Sequence, residues 1–444
     1  MQATTIYALS TGAAPTGVAI IRVSGPAVEA IFKSLCGFVP KPRRAALSAL
    51  HDPETKALID EALVLYFKGP ASFTGEDVAE FHIHGGRAVI AALLETLSHF
   101  PNCQMAERGE FSRRGFFNGK LDLMEVEGLA DLIAAETDAQ RRQALTQMQG
   151  AQSQFFETLR EKIIHAIAMV DSALDFSDEA DVPEEIAGAA RPLASDLLSE
   201  IERYLDDGNR GEILREGFHV VLAGLPNAGK SRLLNALAAR DVAIVSEEAG
   251  TTRDMIEVRL DIDGVPVRVT DTAGLRETES LVEKEGIRRS FAQLEISELA
   301  IWIIDGTAPQ LVPEEVVERC GGKVMTVWNK VDVSPVPMAF VDEIDFKISA
   351  ETGLGLEALL SAIGARALER VGQGEGAIVT RARHRDLLEL AAAQLREFLD
   401  GDLSDTELRA EDLRRAAFAI GRLTGKVDVE DVLDKIFLEF CIGK

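Results

Sequence analysis

Gly224-Leu-Pro-Asn-Ala-Gly-Lys-Ser231 decides how this chain is read. An apolar run at 218–223 precedes it and reads as a buried strand. Arg-Leu-Leu-Asn-Ala-Leu at 232–237 follows and reads as a helix. Strand, glycine loop and helix in that order make a phosphate-binding loop, because the glycines let successive backbone N–H groups turn inward around an anion. Lys230 then places a positive charge on the β- and γ-phosphates, and Ser231 offers a hydroxyl to Mg²⁺.

Working outward, residues 217–370 alternate strand and helix patterns. Strands are expected at 218–223, 255–262, 265–270, 300–304, 324–328 and 346–348, with Asp263-Gly264 as a hairpin turn. The pattern predicts a mostly parallel, doubly wound α/β sheet with one antiparallel edge. Four segments at strand ends and loops complete the nucleotide site. In Asp271-Thr272-Ala273-Gly274 the aspartate can hold Mg²⁺ through water and the glycine amide can sense a γ-phosphate. In Asn329-Lys330-Val-Asp332 the aspartate can accept from guanine N1–H and the 2-amino group, a pair adenine lacks, so GTP is favoured over ATP. Ser349-Ala350 suits a backbone contact to the base oxygen, and one hydroxyl of Thr251-Thr252 can join the Mg²⁺ shell. This order and spacing resemble the translation-factor-like GTPases.

Small signalling GTPases carry a water-orienting glutamine directly after Asp-x-x-Gly. Here that position is Leu275, which cannot orient water by hydrogen bonding. Glu283 is a candidate replacement; a solvated helix glutamate is the equal alternative. Asn227 sits where an amide oxygen can hold a monovalent cation near the phosphates, and Ser246 to Thr252 can wrap oxygens around the same ion. Such a cation would supply the charge of an arginine finger, a term of roughly 4–7 kcal/mol in the Ras example of that effect. Arg253 and Arg276 are rival sources of charge.

The remaining chain is of different texture. Residues 1–118 mix strands (near 6–9, 17–23, 62–67 and 78–84) with helices (26–36 and 88–99), an α+β pattern. Amphipathic helices are expected at 121–136, 139–149, 153–174 and 189–205, and again between 380 and 440 after a glycine-rich linker. The economical arrangement is one all-α domain built from both flanks, with the α/β unit inserted. The boundaries expected are 1–118, 119–216, 217–370 and 371–444. Basic residues available to RNA are scattered: Lys41, Arg43 and Arg44; Arg108, Arg113 and Arg114; Arg381, Arg383 and Arg385; each cluster alone reads first as a solvated face. His82 and His84 are expected on opposite faces of a strand, and so not a metal pair.

At 444 residues the chain suggests roughly three domains. A net charge of −26 excludes a general sink for nucleic acid but leaves a local basic patch open. Four cysteines (Cys36, Cys103, Cys320, Cys441) form no metal-ligand spacing, and neither a membrane-length apolar run nor a secretory leader is seen. A cytoplasmic location is expected.

Taken together, Phe73-Thr-Gly-Glu-Asp77 with His84-Gly-Gly86, Asn118-Gly-Lys-Leu-Asp122, the phosphate loop, Gly250-Thr-Thr-Arg-Asp254, Asp271-Thr-Ala-Gly-Leu-Arg276 and Phe440-Cys-Ile-Gly-Lys444 resemble the MnmE/TrmE family of tRNA-modification GTPases over essentially the full length. The resemblance implies a potassium-dependent GTP hydrolase that dimerises through an N-terminal folate-binding domain. It implies a partner, the FAD protein MnmG, in a heterotetramer or larger assembly. Together they would add a carboxymethylaminomethyl or aminomethyl group to C5 of the wobble uridine of certain tRNAs. The one-carbon unit would come from a tetrahydrofolate derivative (5-formyl or 5,10-methylene). GTP hydrolysis would drive docking of GTPase domains and conformational change.

By position, Arg22, Glu80, Lys120 and Lys444 match the family's folate contacts. Asn227, Ser246, Glu248 (through its carbonyl) and Thr251 match potassium ligands, Ser231 and Thr252 match Mg²⁺ ligands, and Glu283 matches the catalytic glutamate. The GTP contacts expected are Asn227, Ala228, Gly229, Lys230, Ser231, Arg232, Ser246, Glu247, Glu248, Ala249, Gly250, Thr251, Thr252, Asp271, Thr272, Ala273, Gly274, Asn329, Lys330, Asp332, Ser349 and Ala350. Cys441 matches a residue proposed in the family to act in uridine chemistry, where a thiolate adding to uracil C6 would raise nucleophilicity at C5. A buried small residue is its alternative. The rival function is a GTPase switch in ribosome assembly or signalling, which explains the GTPase motifs but not the N-terminal motifs or the Cys-Ile-Gly-Lys end.

Overall fold

Two six-stranded sheets hold every named strand of the computed structural model. It describes residues 4–12, 14–175, 183–206, 209–240, 242–244, 257–271, 292–372, 379–402, 405–427, 430–438, 440 and 442–443. The first sheet runs β3-β4-β5-β2-β1-β6. Its strands are β1 (Thr5–Leu9), β2 (Thr16–Ser24), β3 (Ala46–His51), β4 (Leu58–Phe67), β5 (Val78–Gly85) and β6 (Cys103–Met105). All pairings are antiparallel except β1 with β6. Helices Val28–Cys36 and Arg87–Ser98 bury their apolar stripes in the core with one face of this sheet, where Phe32 meets Tyr66 and Phe81 at ring distances of 5.7 and 5.3 Å. The N-terminal unit is therefore α+β, as its mixed pattern predicts.

Two of these strands are absent from the sequence expectation. Ala-Leu-Ser-Ala-Leu-His in β3 has helix-forming composition and no β-branched residue, yet ladder pairing with β4 makes it an edge strand. β6 is three residues long, too short for any periodicity.

The second sheet runs β12-β11-β10-β7-β9-β8, from β7 (Phe218–Gly224), β8 (Glu257–Ile262), β9 (Val265–Asp271), β10 (Leu299–Asp305), β11 (Val324–Asn329) and β12 (Phe346–Lys347). Every pairing is parallel except β8 with β9. Central strands are buried on both faces, so β7 and β10 read as largely apolar runs, with His219 the one polar side chain inside β7. Asp263 and Gly264 have φ of 53° and 84°, the two positive angles a tight two-residue hairpin needs.

The helical segments flank this α/β body in sequence and meet in space. Helix Ala151–Asp175 lies along helix Thr406–Thr424. Glu157 there accepts from Thr424 Oγ1 (3.0 Å) and pairs with Lys426 at 2.6 Å. Helix Pro183–Leu205 is tied to helix Ala382–Asp400 by Arg396–Glu202 at 2.6 Å and by an Arg385 hydrogen bond to the Leu205 carbonyl at 3.2 Å. Helix Leu123–Ala134 starts at a reciprocal cap: Asp122 N donates to Glu125 Oε2 (2.8 Å) and Glu125 N to Asp122 Oδ1 (2.9 Å). The chain divides into two compact units. One comprises Met1–Ala130, Gln147–Ala187 and Leu403–Lys444; the other comprises Asp131–Thr146 and Gly188–Asp402.

Candidate functional site

The nucleotide cleft forms where the parallel strands end. Gly224 closes β7 at φ 144°, and a Cβ there would sit 2.4 Å from the Ile303 carbonyl of β10. Only glycine lets the loop leave the sheet at this point. Gly229, at φ 100°, caps helix Lys230–Ala238. Lys230 is 6% exposed, and its ammonium donates to the Gly224 and Leu225 carbonyls at 2.8 and 2.9 Å. Burial pushes its pKa down, and the Asp271 carboxylate opposes that push.

Beside the lysine, Ser231 Oγ donates to Asp271 Oδ2 at 2.5 Å. β9 runs parallel to β7 with Leu222 opposite Asp271, which delivers the carboxylate to the start of the helix. A hydroxyl and a carboxylate converging on one point fit Mg²⁺, a hard cation that takes oxygen ligands. Asn227 is exposed with φ 64°, a left-handed conformation asparagine tolerates.

Asn329, 2% exposed, joins the phosphate loop to the base-side loop. Its Nδ2 donates to the Ala228 carbonyl at 2.8 Å, and its Oδ1 accepts from Ala350 N at 3.0 Å. Lys330 pairs with Asp305 at 2.6 Å. Ser349 is fully buried and its Oγ accepts from Thr352 N at 3.1 Å, while Asp332 stays exposed. Arg232 is held on the rim by Glu351 at 2.6 Å. The open cleft measures about 690 Å³ and is lined by Asn227, Gly229, Lys230, Ser231, Asn329, Asp332, Ser349 and Ala350, among others. Widely spaced motifs of the sequence are thus brought into one cavity.

Several expected site residues lie outside the described residues: Ser246, Glu247, Glu248, Ala249, Gly250, Thr251, Thr252, Thr272, Ala273, Gly274, Glu283, Cys441 and Lys444, together with Arg253, Leu275 and Arg276. Among the described residues no group of three or more His, Cys, Asp or Glu is placed to hold a metal, and no helix is long and apolar enough to cross a membrane.

A second cluster forms in the first unit, around Arg22. Its guanidinium pairs with Glu80 at 2.9 Å across the β2–β5 register. It stands 5.8 Å from the Phe73 ring centre and 5.7 Å from that of Phe111. The motifs 73–77 and 118–122 meet here: Asn118 Nδ2 donates to the Thr74 carbonyl at 2.7 Å, and a Cβ on Gly75 would stand 3.4 Å from Lys120 Cγ. Residues 442 and 443 close the cluster, next to the Lys444 that the resemblance groups with Arg22, although the contact through the Gly443 carbonyl was not expected. Gly443 O accepts from Ser10 Oγ at 3.0 Å and from Arg22 at 3.5 Å, and Ile442 bridges to Arg108. The glycine is needed there: Gly443 has φ 97°, and a Cβ would meet the Leu9 carbonyl at 2.3 Å.

Two expectations are corrected. His82 and His84 are two residues apart on β5, so they share a face, while Phe81 and Ile83 are buried on the other. His82 faces Glu80 at 3.3 Å and His84 faces Asp60 at 2.8 Å. The basic clusters near 114 and 381 are committed to internal ion pairs. Arg114 pairs with Glu76 and Glu110 at 3.0 and 2.9 Å. Arg381, 8% exposed, pairs with Asp131 at 2.8 Å, and Arg385 faces Glu212 at 3.4 Å.

Comparison with known proteins agrees with this geometry. Residues 5–120 match the family model described as GTP-binding protein TrmE N-terminus, and residues 123–441 match MnmE helical domain. The tRNA modification GTPase MnmE of Parvibaculum lavamentivorans is 50% identical over 444 residues, covering 99% of this chain and 100% of that protein. That of Brucella melitensis is 48% identical over 440 residues, covering 99% and 98%. Among solved structures, the G domain of the T. maritima FeoB iron transporter matches 34% of this chain and 98% of its own at 25% identity, with a TM-score of 0.26. With two family models and full-length relatives on the same residues, the chain belongs to the MnmE/TrmE family of tRNA modification GTPases.

Proposed function

We propose that this chain hydrolyses GTP to drive a modification of tRNA, as the names of its relatives state for them. The observation that carries the reading is the single cleft holding Lys230, the Ser231–Asp271 pair, Asn329 and the exposed Asp332. Asp332 reads guanine, and Ser349-Ala350 receives the base oxygen. Mg²⁺ held by Ser231 and Thr252 would neutralise charge on the β- and γ-phosphates. K⁺ held by Asn227, Ser246, the Glu248 carbonyl and Thr251 would supply the positive charge that other GTPases take from an arginine. Glu283 orients the attacking water, since Leu275 cannot.

The finer reading extends to the first unit. Arg22, Glu80, Lys120 and Lys444 bind the tetrahydrofolate derivative that provides the one-carbon unit. The Arg22–Glu80 pair and the Gly443 closure support a built anion-recognising pocket. Cys441 acts on the uridine, MnmG supplies the FAD chemistry, and the product carries a C5 substituent on the wobble uridine. A homodimer forms on the outward face of the first sheet. Leu47, 74% exposed, is registered there opposite Leu63, 40% exposed, an apolar pair left uncovered within one chain. The domain boundaries are 1–118, 119–216 with 371–444 as one helical domain, and 217–370. Each compact unit pairs a helix of one flank with a helix of the other, which supports treating the two flanks together.

Two measurements test the reading. GTP turnover is expected to be faster in potassium than in sodium; equal rates in both salts would overturn the cation assignment. Mass analysis of tRNA nucleosides from a deletion strain is expected to show loss of the wobble-uridine side chain. Unchanged nucleosides would leave a switch without modification chemistry.

A further inference from the structure

Almost every arginine of the two sites is bound to a carboxylate, but the loop at 38–44 is different. Phe38-Val-Pro-Lys41-Pro-Arg43-Arg44 joins helix Val28–Cys36 to the edge strand β3. Lys41, Arg43 and Arg44 are all exposed, and among the described residues none has a carboxylate within ion-pair distance. Lys68, 62% exposed at its side chain, follows Phe67; its nearest carboxylate is Glu29 at 3.8 Å.

The loop is held in place rather than merely charged. Arg43 has φ 59°, its N–H donates to the Tyr66 carbonyl at 2.8 Å, and Arg44 N–H donates to Lys41 O at 3.1 Å. The Arg43 guanidinium donates to the Ala71 carbonyl at 2.5 Å and lies 5.7 Å from the Phe67 ring centre. Stacking and backbone bonds thus aim one face of a planar cation outward at little further entropic cost on binding. Phe38, 43% exposed, adds a ring on which an unstacked base can lie.

We propose that this loop, with Lys41, Arg43, Arg44 and Lys68, contacts the phosphate backbone of the tRNA substrate. The inference rests on the reading of the chain as acting on tRNA. In a chain of net charge −26 most of the surface repels a polyanion, so a preformed cluster in which Lys41, Arg43 and Arg44 have no carboxylate partner among the described residues governs where RNA docks. Arginine on an aromatic ring, with an exposed phenylalanine in the same loop, favours RNA over an acidic protein segment, which offers charge but no bases to stack.

The test is fluorescence anisotropy of labelled, unmodified tRNA with the full-length chain at several KCl concentrations, comparing wild type with K41A/R43A/R44A. Loss of three phosphate contacts should weaken binding roughly 10²-fold near 0.1 M salt and make the slope of log K against log salt shallower by about 2 to 3. Binding of a fluorescent GDP analogue and the urea midpoint should not change, since the loop lies outside the nucleotide cleft. The variant K41R/R43K/R44K should keep the slope. Equal tRNA affinity and slope in wild type and triple alanine variant would overturn the proposal alone. Competition by polyglutamate as effective as by RNA of equal charge would also overturn it, and would assign the loop to an acidic protein. If the wild type itself fails to bind tRNA, the substrate reading falls and this proposal with it.

Discussion

Asn329→Ala should break the nucleotide cleft without touching a phosphate. The side chain joins two loops through two buried hydrogen bonds, to the Ala228 carbonyl at 2.8 Å and from the Ala350 N–H at 3.0 Å. Truncation leaves both backbone groups without their partner, and Ala228 and Ala350 are only 0% and 7% exposed. Each orphaned group costs about 1–3 kcal/mol, so the pair costs about 2–6 kcal/mol before relaxation. Water entering the space left by the amide lowers that to roughly 2–4 kcal/mol, by the same scale of net against gross hydrogen-bond energy. If the cost falls on the loop arrangement that binds nucleotide, affinity drops by roughly 30- to 1,000-fold. Titration with a fluorescent GDP analogue reads the loss, and urea unfolding separates it from a global fall in stability. Asn329→Asp sharpens the test. It keeps the acceptor for Ala350 but sets a carboxylate oxygen against the Ala228 carbonyl, so it should bind no better than the alanine variant. Wild-type affinity for Asn329→Ala at unchanged stability would refute the bridging role. An aspartate variant that outperforms alanine would show that the bond from Ala350 N–H carries most of the bridge.

Gly229→Ala should cost nucleotide affinity through the same amide, because its Cβ would stand 2.3 Å from Asn329 Nδ2. The double variant with Asn329→Ala should therefore lose less than the sum of the two, keeping chiefly the cost of about 1–2 kcal/mol for alanine at φ 100°. His219, 5% exposed and hydrogen-bonded to Thr270 at 3.0 Å, has its pKa pushed from 6.5 down to about 4 by burial and by the Arg268 cation. The unfolded chain then binds its proton first as pH falls. The neutral histidine's contribution is complete above about pH 6.5 and is lost on the way down to about pH 4, amounting to about 3 kcal/mol. His219→Gln should flatten that part of the urea-midpoint curve, and parallel curves would refute it. Asp122→Ala removes one half of the reciprocal cap and should cost about 1 kcal/mol in thermal or urea unfolding; no change would remove the cap from the account.

The nucleotide cleft was the most legible part of the chain because its chemistry is local. Gly224, Gly229 and Lys230 sit within a few residues of the strand and helix they join, and Asp263-Gly264 states its turn in two letters. β3 was not legible because its composition favours helix and only pairing with β4 overrides it. The basic clusters misled for a related reason. Arg381 finds Asp131 across 250 residues, a distance at which no periodicity carries information. The face shared by His82 and His84 follows from a period of two, so that error lay in applying the rule and not in the sequence.

The glycine at 443 bears on how the protein is made. Its carbonyl reaches Arg22 and Ser10 after 421 and 433 residues of intervening chain. During synthesis the first sheet can emerge and fold long before that carbonyl exists. The wall it supplies is therefore made long after the sheet that it closes. The first sheet can thus be well folded while the Arg22 cluster still lacks the Gly443 carbonyl. A ligand that needs this carbonyl would bind only after the chain has closed on itself across that separation.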